Sequence, residues 1–218
     1  MAVKKRIASF IKEYRSTILL IILISCFRSA IADWNTVPTG SMKPTILEGD
    51  RIFVNKMAYD LRVPFTHVSL LKLDEPESGD IVVFESEAMD KRLVKRVIGV
   101  PGDTVALKDN KLIINGIASD YEIVNETHLY FEQKEKTASS EQVVRVAKDF
   151  SYLSNFNAVV VPENHYLVLG DNRNNSADSR VIGFVPREEI VGQSLYAVIS
   201  LNYENYYLPR KDRYFQRL

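Results

Sequence analysis

The chain has 218 residues, 46% hydrophobic and 26% charged, enough to bury a sizeable core in one domain, with or without an insertion. Its 28 basic and 28 acidic side chains cancel, so the basic excess that marks a nucleic-acid binder is missing and no nucleic-acid partner is expected. A single cysteine, Cys26, excludes an intrachain disulfide and every multi-cysteine metal motif, and His67, His128 and His165 are too scattered for a local metal site.

Residues 1–15 carry Lys4, Lys5, Arg6, Lys12 and Arg15 against Glu13 alone. The apolar run "TILLIILISCF" (17–27) follows, is interrupted by Arg28, and continues weakly to Trp34. Read as one helix, 16–34 is just long enough to cross a bilayer core, with Arg28 snorkelling and Trp34 at the interface. The positive charge ahead of it predicts that residues 1–15 stay in the cytoplasm and that the rest is exported. A rival reading is a cleavable secretory signal ending at Ala30-Ile31-Ala32, although Arg28 sits where such a signal is usually uncharged.

Beyond Trp34 the texture is β. "DRIFVNK" (50–56), "DIVVFES" (80–86), "RLVKRVIGV" (92–100), "DTVALKD" (103–109) and "KLIINGI" (111–117) are short β-branched runs separated by Gly-Asp and Asn-Gly turns. "NAVVVPE", "HYLVLGD" and "VGQSLYAVISL" continue the pattern. Strands follow strands with no helix between them, which predicts antiparallel sheets rather than β-α-β units. Residues 120–157 are polar and weakly periodic and read as an inserted, smaller subdomain forming a surface excursion. The expected organisation is a cytoplasmic basic N-terminus (1–15), one transmembrane helix (16–34) and a mostly β catalytic domain (35–119 and 158–205). That domain is interrupted by the insertion and followed by a basic tail (206–218), either a solvated end or a lipid contact.

The chemistry begins at "PTGSMKPT" (38–45), where Ser41 precedes Lys43 by two positions. A serine attacks an acyl carbon only when a base takes its proton. No histidine sits in a catalytic motif; a Ser–His pair using His165 is the weaker alternative, since that residue reads as a strand-end histidine. A lysine must be neutral to serve, and its free pKa of about 10.4 leaves only about one molecule in two thousand neutral at pH 7. Burial among apolar groups lowers that value. Lys43 lies beside the membrane segment and is expected to remain charged. In "RLVKRVIGV", strand alternation gives Lys95 the same face as Leu93 and Val97, which makes it the better candidate for desolvation.

Four blocks in order carry a resemblance: "VPTGSMKPTILEGDRIFVNK", "GDIVVF", "VKRVIGVPGD" and "GDNRNNSADSRVIGFVP". With the apolar segment ahead of them, they resemble bacterial type I signal peptidases, also called leader peptidases. The resemblance implies a Ser–Lys serine endopeptidase that removes signal peptides at Ala-x-Ala-type sites. Ser41 then takes the nucleophile's place and Lys95 the general base's, while Lys43 fills a variable position. Thr39 stands where many members have a serine whose hydroxyl joins the Ser41 N–H in an oxyanion hole. Ser176 falls where a family serine hydrogen-bonds and orients the lysine, and Asp178 and Arg180 where an ion pair supports the site. Asn174 replaces an aspartate common in that block. Val37, Pro38, Met42, Ile46, Leu93 and Val94 are candidates for lining two small substrate pockets. No metal and no cofactor is implied. The expected partners are signal peptides of exported preproteins and membrane lipid, with the protein a monomer in the bacterial cytoplasmic membrane and its catalytic domain on the outer face. The alternatives are a conjugative or pilus maturation peptidase, a self-cleaving repressor, which the hydrophobic segment argues against, and a non-catalytic anchored domain that binds exported proteins.

Overall fold

A computed structural model describes residues 2–66 and 68–218, with side chains from residue 12 onward; His67 lies outside the described residues. The chain opens with helix α1 (Ala2–Ala30) and runs into β1 (Ala32–Thr36), β2 (Asp50–Asn55), β3 (Asp60–Arg62), β4 (Ser69–Lys72), β5 (Ile81–Ser86) and β6 (Lys91–Gly99). Next come β7 (Thr104–Lys108), β8 (Lys111–Ile114), β9 (Ile117–Ala118), β10 (Asp120–Glu126), β11 (Tyr130–Lys136), β12 (Glu141–Ala147) and β13 (Phe156–Val160). The chain then forms β14 (His165–Leu169), the single-turn helix α2 (Ser179–Ile182), β15 (Val185–Pro186), β16 (Ile190–Asn202), β17 (Leu208–Pro209) and β18 (Gln216–Arg217).

Among the described residues, nine strands form one antiparallel sheet in the order β1-β2-β16-β5-β6-β14-β15, with β17 and β18 paired to β16. Strand β5 lies inside it, and its unbroken apolar run is what burial on both faces requires. Ile81 and Val83 pack with Val37, Met42, Ile46, Ile52 and Val54. Val82 and Phe84 pack with Tyr59, Val97, Tyr166, Val168, Val185 and Ile190. A four-stranded sheet, β13-β7-β8-β9, covers a third cluster around Ile98, Leu107 and Leu167. Strands β10–β12 make a separate three-stranded meander.

The N-terminal helix ends earlier than the apolar pattern predicts. Residues 32–34 belong to β1, with Trp34 paired to Phe53, so Trp34 is not part of the helix. Lys56 explains the stop: its Nζ donates to the carbonyls of Arg28 and Ser29 at 3.0 and 3.1 Å, satisfying the open end of α1. Arg28 turns back to Asp33 at 2.6 Å and stacks over the Trp34 ring. Counting from Ser16, the helical part then reaches only about 22 Å, against roughly 30 Å for a hydrocarbon core. No helix among the described residues is long and apolar enough to cross a membrane.

The C-terminal residues are not a loose solvated end. Strands β17 and β18 pair with β16. Arg213 reaches the buried Asp50 carboxylate at 2.7 Å, and Arg210 donates to Ser200 Oγ and the Glu48 carbonyl at 2.6 and 3.0 Å.

Candidate active site

Ser41 sits on the excursion between β1 and β2. Val37 and Asp50 continue the ladder across its base, with Val37 N–H donating to Asp50 O at 2.8 Å and Gly49 N–H to Val37 O at 2.9 Å. Inside it, Lys43 N–H donates to Gly40 O and Ile46 N–H to Met42 O. Met42 and Ile46 are fully buried and root the excursion in the core, which leaves Ser41 half-buried beside them.

Lys95 arrives from β6. Register sets it opposite Val82, with Leu93 opposite Phe84, so its face is apolar on both strands. Its side chain is 2% exposed, and Nζ lies 2.8 Å from Ser41 Oγ and 2.9 Å from the Val94 carbonyl. Loss of hydration lowers its pKa to about 8, and the carboxylates of Asp178 and Asp171 hold it from falling further.

The third wall is the segment 170–180. Gly170 brings its backbone against Ser41: a Cβ there would lie 2.5 Å from Ser41 O and 2.2 Å from Ser176 Oγ. Asp171 takes Arg96 through two bonds of 2.9 and 2.7 Å and receives Thr45 Oγ1 at 2.5 Å. Asn172 donates its backbone N–H to Ser41 O at 3.0 Å and its Nδ2 to Gly40 O at 2.9 Å. Arg173 forms a fully buried ion pair with Glu135 of β11. Arg145 of β12 bonds the backbone on both sides of Asn172, donating to Asp171 O and accepting from Arg173 N–H. The meander, expected as a surface excursion, therefore braces the wall behind the serine. Further along, Asp178 binds Arg180 through two bonds of 2.8 and 2.7 Å and accepts the Gly170 N–H at 2.9 Å.

Two hollows meet at this pair of side chains. The larger, about 410 Å³, runs between residues 35–39 and 91–95, and the smaller, about 220 Å³, lies toward residues 175–177. A half-buried hydroxyl against a desolvated amine, open on two sides, is an arrangement suited to acyl transfer.

Comparisons with known proteins identify the family. A family model described as signal peptidase, peptidase S26, matches residues 9–199. The chain belongs to that family. Signal peptidase I of Pseudomonas aeruginosa is 34% identical over 202 residues, covering 84% of this chain and 69% of that protein. Signal peptidase I of Rickettsia bellii (strain OSU 85-389) is 36% identical over 216 residues, covering 87% and 73%. A crystal structure of a signal peptidase I from Enterococcus faecalis is 30% identical over 56% of this chain and 98% of its own, with a TM-score of 0.37. As a member of the family, the chain is a serine endopeptidase, a hydrolase of peptide bonds.

Within the peptidase, the residues singled out from sequence are only partly brought together. Ser41 and Lys95 are in contact, and Asp178 and Arg180 are paired behind them. Val37, Pro38, Thr39, Met42, Leu93 and Val94 all line the larger hollow, whereas Ile46 does not and is wholly core. Ser176 departs from its expected contact. It lines the smaller hollow with Lys95, yet its buried Oγ has no hydrogen-bond partner among the described residues, because Nζ bonds Ser41 and Val94 instead. Lys43 pairs with Glu48 at 3.3 Å. His165 lies at the start of β14, its ring bonded to the Glu163 carbonyl, and lines a different pocket. Asn174 uses its amide as acceptor for Ala147 N–H and donor to Ser154 Oγ, at 2.9 and 3.1 Å; an aspartate could keep both contacts by accepting the Ser154 hydroxyl proton instead.

Sequence reasoning missed Gly170, Asp171, Asn172 and Arg96 as parts of the site. The only signal for them was their membership of the blocks "VKRV" and "GDNR", which taken alone read as a strand and a polar turn.

Proposed function

We propose that this chain removes signal peptides from exported preproteins by an acyl-enzyme on Ser41, with Lys95 as general base. The observation that carries the reading is the 2.8 Å contact between a serine hydroxyl and a lysine amine buried to 2% exposure. With a pKa of about 8, roughly one Lys95 in ten is neutral at pH 7, against fewer than one in a thousand for a free lysine.

The steps follow from the contacts. The lone pair of neutral Nζ takes the Ser41 proton as Oγ attacks the scissile carbonyl carbon. The oxyanion is met by the Ser41 N–H and the Thr39 hydroxyl, neither of which bonds a protein group among the described residues. The Lys95 ammonium gives its proton to the departing amine nitrogen, breaking the C–N bond and leaving the Ser41 ester. A water then loses a proton to Nζ and attacks that ester, and the proton returns to Ser41 Oγ as the acid leaves. An ammonium has one more N–H than an amine, and the unpartnered Ser176 Oγ is placed in the same hollow to accept it. Small side chains of the Ala-x-Ala type suit the floor that Val37 and Met42 make, which excludes bulk by overlap.

Membrane attachment belongs to the same proposal. Leu19, Leu20, Ile21, Ile22, Leu23, Ile24 and Phe27 of α1 are each at least half exposed, an apolar surface that no face of the described residues covers. We assign it to lipid, with Arg28 drawn to the head groups and the β domain on the outer face of the cytoplasmic membrane, acting as a monomer. Ala32 is buried and paired with Asn55, which supports retention of the segment rather than its cleavage.

The test is cleavage of a purified preprotein by the full-length protein in detergent or vesicles, with a mechanism-based acylating compound used in parallel. Processing at the signal junction and one adduct on Ser41 are expected. A protein that cleaves the preprotein with Ser41→Ala in place would remove the serine from the mechanism.

A further inference from the structure

The oxyanion step needs the Ser41 N–H to point into the cleft, and nothing in the nucleophile's own side chain ensures that. Its direction is set one residue earlier. The Gly40–Ser41 peptide is trans, so the Gly40 carbonyl and the Ser41 N–H point in opposite directions within one rigid plane. Whatever holds the carbonyl on one side aims the N–H at the other.

Two donors hold it. Lys43 N–H reaches Gly40 O at 3.1 Å, and Asn172 Nδ2 reaches it at 2.9 Å. The first bond lies within the same short excursion and moves with it. The second comes from a separate wall of the site, from a side chain only 8% exposed, and is the one that fixes the plane relative to the rest of the protein. Asn172 also grips the next peptide through its backbone N–H on Ser41 O at 3.0 Å. One residue therefore clamps the carbonyls on both sides of the nucleophile. The Ser41 N–H between them donates to no protein group among the described residues, and Ser41 lines the cleft that runs along residues 35–39 and 91–95.

We propose that Asn172 is a positioning residue for the oxyanion hole: its amide locks the Gly40–Ser41 peptide plane and so aims the Ser41 N–H at the developing charge. The inference rests on Ser41 being the nucleophile. It also explains the residue type. An aspartate of the same shape would set a carboxylate oxygen against the Gly40 carbonyl, where two acceptors repel, and would favour rotation of the plane. A backbone N–H is available from any residue at 172, so only the side-chain bond makes asparagine special.

The experiment compares Asn172→Asp and Asn172→Ala with the wild-type full-length protein, using three readouts. Removing one oxyanion donor costs about 10²–10³ in kcat, and misdirecting one is expected to cost about 10–100-fold, with KM within about two-fold. A peptide aldehyde, which forms a tetrahedral adduct on Ser41, should weaken by the same factor. An uncleavable peptide of the same sequence should bind as before. The pH at which the rate rises should stay at the wild-type value, since Lys95 is untouched. A distorted fold would instead weaken both peptides together, and that result would overturn the proposal, as would full aldehyde affinity in Asn172→Ala. If Asn172→Asp does not fold, Asn172→Ala carries the same comparison. The wild-type aldehyde adduct is the control for the underlying reading. No adduct on Ser41 sinks the nucleophile assignment; an adduct that Asn172→Ala leaves unchanged sinks only this inference.

Discussion

Lys95 and Arg96 are neighbours on one strand, both buried, both cationic by type, and the protein treats them in opposite ways. Arg96 meets Asp171 through two bonds and stays charged, its pKa held above the ordinary arginine value despite the cost of burial. Lys95 points to the other face and has no ion-pair partner among the described residues: its nitrogen touches a serine oxygen and a backbone carbonyl, and its pKa falls to about 8. The charge on one face is compensated by a direct ion pair that holds structure, whereas on the other Asp178 and Asp171 offset desolvation only in part and the neutral amine becomes accessible. Arg173 with Glu135 repeats the first solution deeper in the same wall.

The largest effect expected from breaking that contrast is on turnover. Lys95→Met removes the proton acceptor while keeping the volume of the stem, and processing of a preprotein should fall by about 10³–10⁴-fold or more, as measured in a single-turnover assay. The wild-type rate should climb with pH and level off above about 8, because only the neutral amine accepts the serine proton. A rate that is flat from pH 6 to 10, with folding intact, would remove Lys95 as the base.

Arg96→Met should have the next largest effect, and on stability rather than chemistry. It strands Asp171 in the interior with only Thr45 for a partner. Breaking one side of a buried pair costs about 3–5 kcal/mol, which denaturant unfolding would detect. Processing at low temperature should survive in whatever fraction stays folded. Equal loss in Lys95→Met and Arg96→Met on both measures would erase the distinction between the two faces.

The stability of Lys95→Met should move the other way. Lys95 loses its charge at about pH 8 in the folded chain and near 10.5 when unfolded, so between those values the unfolded chain binds more protons and stability rises with pH. Below pH 8 the folded protein bears the full penalty, on the order of 3 kcal/mol, and above 10.5 it bears none. Methionine carries no charge at any pH. Its advantage should therefore be greatest at pH 7, roughly 1–3 kcal/mol once lost hydrogen bonds are counted, and should shrink as pH rises toward 10. Paired unfolding curves at pH 7 and 9.5 test the sign.

That contrast was half legible in the sequence. Alternation in "RLVKRVIGV" puts Lys95 with Leu93 and Val97, and the pairing opposite Val82 and Phe84 shows why that face is dry. The double burial of β5 is likewise written in "IVVF". The partner of Arg96 was not legible, because Asp171 lies 75 residues away and nothing local links them. The end of α1 was hidden for the same reason: its stop signal is Lys56, far along the chain, while the apolar pattern itself drifts on to Trp34. The free hydroxyl of Ser176 and the clamp at Asn172 depend on ångström-scale contacts between two loops, which no periodicity encodes. What a strand's own pattern decides was readable, and what a second segment decides was not.

Lys43 offers the smallest effect and the sharpest control. It is only two residues from Ser41, closer in sequence than Lys95 by a wide margin, and proximity alone would nominate it. Its nitrogen instead pairs with Glu48 at 3.3 Å, with both side chains partly exposed, so water and salt screen the pair. Removing an exposed ion pair costs about 0.2–1 kcal/mol, and Lys43→Met should shift the unfolding midpoint within that range and change turnover by less than about two-fold. The lysine stem folds over Gly40, so a modest rise in KM is the one kinetic change its loss should bring. If Lys43→Met folded normally and were inactive while Lys95→Met still turned over, sequence distance would have been the better guide than burial, and the two faces of β6 would have to be reassigned.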